Sequence, residues 1–556
     1  EGCMEQQLVY ESFIQNVQQR HDDIFLRQII DRQFKDFTYG DVLDQALRLV
    51  SAFRDMGLQP GEKIALISKN CAEWFIADLA MMLGSYISVP IFPTAGSDTI
   101  SHVLTHSESK LLIIGKLDSN EPLETSLNQA LETPLPTVSI PYPGTIEGDY
   151  NWLDLIANHP PSEERPNHQP DDLMSIVYTS GTSGLPKGAM LTHGGFAWSG
   201  NKIIEHIDLQ LEERAFSYLP LAHITERVYI LATAMSAGIC TAFPESLDTF
   251  IDDVKMHRPT LFISVPRLWT VFQQGILEKL PQKKLNILLK IPLLNNLIRK
   301  KVIDGLGLDQ ARVLGCGSAP VSPALLRWYE TLGMNITEAW GLTEGFAVAT
   351  FNFPYRSDKV GSVGNAASGI ELKIADDQEI LVRSKGMFSG YYKNQQATAE
   401  TIINGWLHTG DIGEIDSDGY LTITGRKKDT FKTAKGKFVA PVPIEKRLFE
   451  IANIEMMCLI GSGLPGPILL AVPHDYPDFD QARYEKKIQR VLDTINSELE
   501  SHARLRGALM IAEPWSIEND ILTPTLKIKR HKLEKRYQDI GQNWPEGKTV
   551  VWEKDL

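Results

Sequence analysis

The chain has 556 residues, 43% of them hydrophobic and 22% charged, the profile of a soluble globular protein too long for a single small core and wrong for a disordered one. Its formal charge of −15 argues against a general nucleic-acid binder, and no apolar run approaches the ~20 residues that cross a bilayer. Five cysteines lie far apart without any CxxC, so neither a disulfide framework nor a cysteine zinc site is indicated.

Glu1-Gly2-Cys3 ahead of Met4 reads as an added remnant. No signal-peptide layout follows it, so a cytoplasmic protein is expected. Phe37–Met56 carries apolar residues at helical spacing. Lys63–Ser68 then reads as a strand, Asn70 as an N-cap, Cys71–Leu83 as an apolar-faced helix and Ile87–Ile91 as a second strand. Such a strand–helix–strand unit builds a parallel sheet with helices on both faces. The rhythm continues through short buried strands at Lys110–Gly115, Met174–Tyr178, Ala215–Leu219, Ile239–Phe243, Thr260–Val265 and Val313–Gly315, which predicts an α/β fold to about residue 370. His102 and His106 stand four apart on an expected helix. Without a neighbouring glutamate or a third ligand, this spacing does not predict a zinc site.

From Gly369 the pattern changes to short strands at Ile370–Ile374, Glu379–Arg383, Gly413–Ile415 and Tyr420–Thr424, with a hairpin signal at Asp416–Gly419. The expected organisation is a large domain over 4–427, of which about 370–427 is a small β-rich subdomain, and a small α+β domain over 428–556.

The stretch Tyr178–His193, YTSGTSGLPKGAMLTH, can wrap a phosphate. Gly181, Gly184 and Gly188 let backbone N–H groups turn inward, Thr179, Ser180, Thr182 and Ser183 add hydroxyls, and Lys187 supplies charge. It is not a Walker A loop, because Pro186-Lys187-Gly188 stands where that pattern needs Gly-Lys-Ser/Thr. Four more stretches belong with it. Gly315–Pro320 permits close backbone approach at Gly317, Ser318 and Ala319. Glu338–Glu344, EAWGLTE, joins an aromatic able to stack on a base to a hydroxyl and a carboxylate. Thr409-Gly-Asp411 offers a carboxylate for two ribose hydroxyls, and Leu522–Arg530 places Lys527 on a polar loop.

Together these residues resemble the adenylate-forming (AMP-forming) superfamily of acyl-CoA synthetases, peptide-synthetase adenylation domains and firefly luciferase. The resemblance runs from about residue 30 to about 540 with the motifs in the family's order. Pro220–Arg227, PLAHITER, and Val265–Trp269, VPRLW, are similar to its long-chain fatty-acid branch. The resemblance implies a mobile C-terminal lid, and a reaction in which a medium- or long-chain fatty acid and ATP give acyl-AMP and pyrophosphate. The acyl group then passes to a phosphopantetheine thiol of coenzyme A or of acyl carrier protein, both of which stay open.

It further implies catalytic roles for Lys527, Thr343 and Glu344. Contacts to ATP or AMP would come from Thr179–Gly184, Lys187, Gly317, Ser318, Ala319, Glu338, Ala339, Trp340, Gly341, Thr343, Asp411, Ile423 and Arg426. Mg²⁺ would fall to Glu344, with Thr182 as a second candidate ligand. The acyl pocket would take His223, Ile224, Val265 and Gly317, the hinge Lys428, and the thiol tunnel Lys432, Lys435 and Gly436. Leu526 stands where the family commonly has Gly before its lysine, and Lys529 lies close by, so Lys527 and Lys529 compete for that role. A non-catalytic acyl-adenylate or nucleotide-binding regulator of the same fold is the rival reading.

Against the acidic average, Lys283–Lys301 holds six basic residues and no acid, interleaved with Leu and Ile. It suits an acidic carrier protein or an anionic membrane surface, the latter implying a peripheral position on the inner membrane face.

Overall fold

The computed structural model describes residues 7–128, 135–179, 185–292, 294–452, 454–473, 481–517, 519–523 and 527–555. The chain divides into two compact units. The larger takes Glu1–Ser318, Trp328–Leu372 and Val382–Leu407, the smaller Ala319–Arg327, Lys373–Leu381 and His408–Leu556.

Two sheets build the larger unit. The first has seven strands in the order Tyr150–Asn151, Thr137–Ser139, Leu111–Ile114, Lys63–Ile67, Ile87–Ile91, Leu173–Thr179, Lys187–Thr192. All its pairs are parallel except the last. The second has nine strands, with Ile336–Trp340, Val313–Cys316, Leu261–Ser264, Arg214–Phe216, Cys240–Phe243 and Ile24–Ile30 forming its parallel centre. Antiparallel strands close both edges. The expected α/β rhythm is present, each strand falling within a few residues of its predicted place.

The helix Ala72–Leu83 is buried on every side, which accounts for its nearly unbroken apolar sequence. Its N-cap is Cys71, not Asn70 as expected. The Asn70 amide is drawn elsewhere: Nδ2 donates to Ser217 Oγ at 2.9 Å and to the Leu219 carbonyl at 2.7 Å, while Oδ1 accepts from Leu221 N–H. Sequence reading also missed the strand Lys187–Thr192. That strand pairs antiparallel with Leu173–Thr179, which sets Thr179 opposite Lys187.

In the smaller unit, strands Met456–Ile460, Ile468–Val472, Gly507–Met510 and Val550–Trp552 form one sheet. Apolar clusters cover both its faces, built with helices Pro441–Ile451, Gln481–Glu498 and Arg530–Gln542. The hairpin expected at Asp416–Gly419 joins Trp406–Ile415 to Leu421–Arg426. Asp416 Oδ1 accepts from the N–H groups of Asp418 and Tyr420, and Gly419 supplies the left-handed φ of +84°. Among the described residues no helix is long and apolar enough to cross a membrane.

Candidate active site

In the larger unit the hairpin mouth is closed by Thr179, whose hydroxyl donates to the Lys187 carbonyl at 3.4 Å. Ser180, Gly181, Thr182, Ser183 and Gly184, the centre of the expected phosphate loop, lie outside the described residues. Gly188 is a glycine for space, since a Cβ there would stand 2.6 Å from the Ile176 side chain. His102 and His106 flank the mouth. His102 Nε2 lies 3.0 Å from the Pro186 carbonyl, His106 Nδ1 lies 2.8 Å from the Tyr178 hydroxyl, and the two rings stack with centroids 5.2 Å apart. Burial and the neighbouring His102 lower the His106 pKa, so this imidazole is mostly neutral at pH 7.

A segment far along the chain completes this edge. Residues 388–392 run beside the Lys187–Thr192 strand, through Met190 N–H to the Gly390 carbonyl at 2.9 Å, Ser389 N–H to the Met190 carbonyl at 3.0 Å and Tyr392 N–H to the Gly188 carbonyl at 2.8 Å. This pairing sets Tyr391 between two residues of the expected site. Its hydroxyl donates to Glu344 Oε1 at 2.5 Å, and Lys187 Nζ lies 4.4 Å from its ring centroid. Burial, and secondarily the Glu344 charge, push the phenol pKa far up, so the hydroxyl remains a donor at every working pH. Tyr391 was not among the residues singled out from sequence.

The parallel pairing of Val313–Cys316 with Ile336–Trp340 sets two more motifs side by side, with Cys316 opposite Glu338. Both motifs leave the carboxyl ends of their strands, where open α/β sheets bind ligands. Glu338 is buried and its Oε2 accepts from Gly361 N–H at 2.9 Å. Past the strand, Thr343–Gly345 makes one 3₁₀ turn, and Phe346 and Ala347 follow with φ of +53° and +59°. Two consecutive left-handed non-glycine residues persist only where their surroundings hold them. Here Phe346 is wholly buried and the Ala347 carbonyl accepts from the Tyr229 hydroxyl at 3.2 Å. Gly341 faces this turn so closely that a Cβ would stand 2.3 Å from the Ala347 backbone.

Tyr229 belongs to the π-helical turn Arg227–Ala232, a geometry frequent at functional sites. Between that turn and the sheet lies a small, mainly apolar cavity of about 50 Å³. Ile203, Ile207, Ile263 and Phe351 line it together with Gly317, Ser318, Ala339, Trp340 and Gly341. Five residues expected at the nucleotide thus border an apolar chamber. Of the four expected in the acyl pocket, Gly317 lines this cavity and His223, Ile224 and Val265 are not among its lining residues. His223 instead caps the short helix Ile224–Glu226, its Nδ1 accepting from Thr225 N–H at 3.3 Å, Ile224 is buried, and Val265 precedes the helix Pro266–Lys279.

The octapeptide Pro220–Arg227 is held by buried polar groups. Ser217 Oγ donates to Glu226 Oε1 at 2.7 Å, and Asn70 spans the loop as above. Burial pushes the Glu226 carboxyl up to about 8, so it is largely protonated at neutral pH. Arg227 donates twice to Asp78, at 3.0 Å each, and Trp74 Nε1 adds a bond of 2.9 Å to the same carboxylate.

In the smaller unit Asp411 and Arg426 are cross-strand partners, with Arg426 Nε donating to Asp411 Oδ1 at 2.6 Å. Ile423 lies on the same strand as Arg426, and its carbonyl accepts from Lys446 Nζ at 3.4 Å. Lys428 is exposed in the turn after that strand, while its neighbour Lys427 is ion-paired with Asp377 and Glu379. Lys432, Lys435 and Gly436 sit on the hairpin of Phe431–Lys432 with Phe438–Val439, Gly436 at φ +76°. Lys527 is exposed, and its backbone N–H donates to Thr523 Oγ1 at 3.0 Å. Lys529 is ion-paired with Asp520, and Arg530 is tied to Glu445 by two bonds of 2.8 and 3.0 Å. Ala319 also falls in this unit, and residues 524–526, including Leu526, lie outside the described residues.

A two-sheet α/β unit followed by a small α+β unit is the architecture of a known enzyme family. The chain belongs to the AMP-binding enzyme family, whose profile matches residues 13–392, and the profile of the AMP-binding enzyme C-terminal domain matches 428–542. Among its relatives are the long-chain-fatty-acid–CoA ligase FadD15 of Mycobacterium bovis, 28% identical over 93% of each chain, and long chain acyl-CoA synthetase 3 of Arabidopsis thaliana, 27% identical over 94% of this chain and 90% of that one. In fold it is similar to the anthranilate CoA ligase AuaEII in complex with anthranoyl-AMP, with a TM-score of 0.79 at 22% identity over 96% and 97% of the two chains. It is similar also to ATP-bound MatB from Rhodopseudomonas palustris, with a TM-score of 0.77 at 20% identity over 96% and 99%.

Proposed function

We propose that the protein is an AMP-forming fatty acid ligase that transfers its acyl group to coenzyme A. The observation that carries this reading is the small apolar cavity in which Ile203, Ile207, Ile263 and Phe351 stand beside Gly317, Ser318 and Ala339–Gly341, residues expected at the nucleotide. The apolar lining suits an alkyl chain, whose carboxylate would then lie near the residues assigned to the nucleotide. The names of the relatives, long-chain fatty acid and acyl-CoA ligases, support the same substrates.

In the first step a carboxylate oxygen attacks the α-phosphorus and pyrophosphate leaves, giving the mixed anhydride. In the second the thiol sulfur attacks the acyl carbon, AMP leaves and the thiol proton passes to solvent. Lys187 and Thr343 are assigned to the phosphates, Trp340 to the adenine face, Glu338 to its amino group, Asp411 and Arg426 to the ribose, and Lys527 to the α-phosphate and carboxylate. Donors that meet the charge gathering on the α-phosphate are worth ~10²–10³ in rate each. Lys432, Lys435 and Gly436 are assigned to the thiol tunnel and Lys428 to the hinge.

Glu344 offers the hard oxygen ligand that Mg²⁺ requires, and Tyr391 fixes the direction of that carboxylate. The ion, when bound, would offset phosphate charge.

The test is fatty-acid-dependent exchange of labelled pyrophosphate into ATP without any thiol, followed by thioester formation with coenzyme A and, separately, with acyl carrier protein. Exchange followed by acyl-CoA supports the reading in full. Exchange with acyl carrier protein as the sole acceptor corrects the thiol, and nucleotide binding without exchange identifies a non-catalytic regulator.

A further inference from the structure

The helices Gln282–Lys290 and Leu294–Leu306 form a hairpin in the larger unit whose outward side is unusual for this chain. Leu285 is buried and Leu288 and Leu289 are half-buried against the body, which accounts for one helix face. Yet Ile287, Ile291, Leu294 and Leu297 are 62%, 40%, 38% and 60% exposed, clustered about the turn between the helices. Lys283, Ile287, Lys290 and Ile291 recur at helical spacing, as do Leu294, Leu297 and Lys301, so aliphatic and basic groups share one stripe. From Lys279 to Ile303 there is no acidic residue, in a protein of net charge −15. The hairpin is tied down elsewhere, Trp328 Nε1 donating to Gln282 Oε1 at 2.8 Å and Arg299 Nε to the Thr331 carbonyl at 3.0 Å.

We infer that this hairpin is a docking surface for an anionic lipid bilayer, its aliphatic turn entering the headgroup layer and its lysines pairing with lipid phosphates. The chemistry separates a bilayer from an acidic protein. Protein interfaces are enriched in Tyr, Trp and Arg and depleted in Lys. This segment has no aromatic residue, and its single arginine, Arg299, is bonded to Thr331. Lysines whose stems lie along apolar surface while their ammonium groups reach outward, beside protruding aliphatic side chains, are the pattern of interfacial helices. The inference does not depend on the proposed reaction.

The test is co-sedimentation of the full chain with phosphatidylcholine vesicles, with and without phosphatidylglycerol. Pelleting with the anionic vesicles alone is expected, weakened by salt. Lys283→Gln/Lys284→Gln/Lys290→Gln should lower partitioning by about fivefold per lysine. Ile287→Ser/Leu297→Ser should lower it with the charges intact. Circular dichroism melts check folding, and Lys290→Gln alone serves should a multiple variant fail. Absence of pelleting with anionic vesicles, or variants that pellet like the parent, overturns the proposal. So does a parent that ignores vesicles but loses capture of an acidic carrier protein in the lysine variant, which would assign the surface to that protein.

Discussion

Replacing Tyr391 by Phe removes one oxygen atom from the candidate site and leaves the rest in place. The lost group is the donor 2.5 Å from Glu344 Oε1, while the ring facing Lys187 at 4.4 Å is retained. A hydrogen bond to a charged group contributes about 1.5–3 kcal/mol. If the bond serves to aim the carboxylate, most of that is lost from metal and nucleotide engagement, a drop of roughly 10–100-fold in kcat/KM for MgATP. Pyrophosphate exchange measured across a Mg²⁺ titration reads this directly. The apparent Mg²⁺ requirement should rise, while KM for the fatty acid stays within about twofold, because the chamber does not include Tyr391. Tyr391→Leu also removes the ring. A cation over an aromatic face is worth about 0.5–2 kcal/mol, so a further loss of roughly 2–30-fold is expected, this time in KM for ATP. A Tyr391→Phe variant with the parental Mg²⁺ curve and exchange rate would refute the argument.

Lys527→Ala should cut pyrophosphate exchange by roughly 10²–10³-fold, while thioester formation from synthetic acyl-AMP persists. Lys529→Ala, which breaks the ion pair with Asp520, should alter exchange little, and the reverse order would assign the role to Lys529. Glu226 has a folded pKa of about 8, above its usual value near 4.5 because burial disfavours the charged form. The folded state therefore binds the proton that the unfolded state has lost, and stability from this group is complete below about pH 4.5 and lost as pH rises through 8. Denaturation midpoints of Glu226→Gln should decline less than those of the parent over that window, and parallel curves would count against the assignment. Gly341→Ala would place a methyl group against the backbone of Ala347, which cannot swing aside as a side chain can. A stability loss of about 1–3 kcal/mol is expected, read as a lowered midpoint in urea.

Much of the larger unit was legible because its signals are local. Runs such as Ile64–Ile67 and Leu111–Ile114 are apolar throughout, as strands buried on both faces must be, and the hairpin at Asp416–Gly419 carries its own turn chemistry. The motifs that carry the family resemblance are marked by residue type and order, and the pairing of Cys316 with Glu338 puts two of them side by side. The Asn70 cap failed for a reason local reading cannot supply, since its amide is recruited by Ser217 and Leu219 from another part of the chain.

By itself, then, the amino-acid order determined the class of fold and the family, because periodicity, turns and motif spacing act over a few residues. Tertiary structure alone decided that Tyr391 stands between Lys187 and Glu344, that a π-helical turn and two left-handed residues shape one end of an apolar chamber, and that an aliphatic turn among lysines faces outward. These depend on strand pairings and burial between segments far apart in the chain. No short window of sequence encodes such proximity, which exists only once the sheets have assembled.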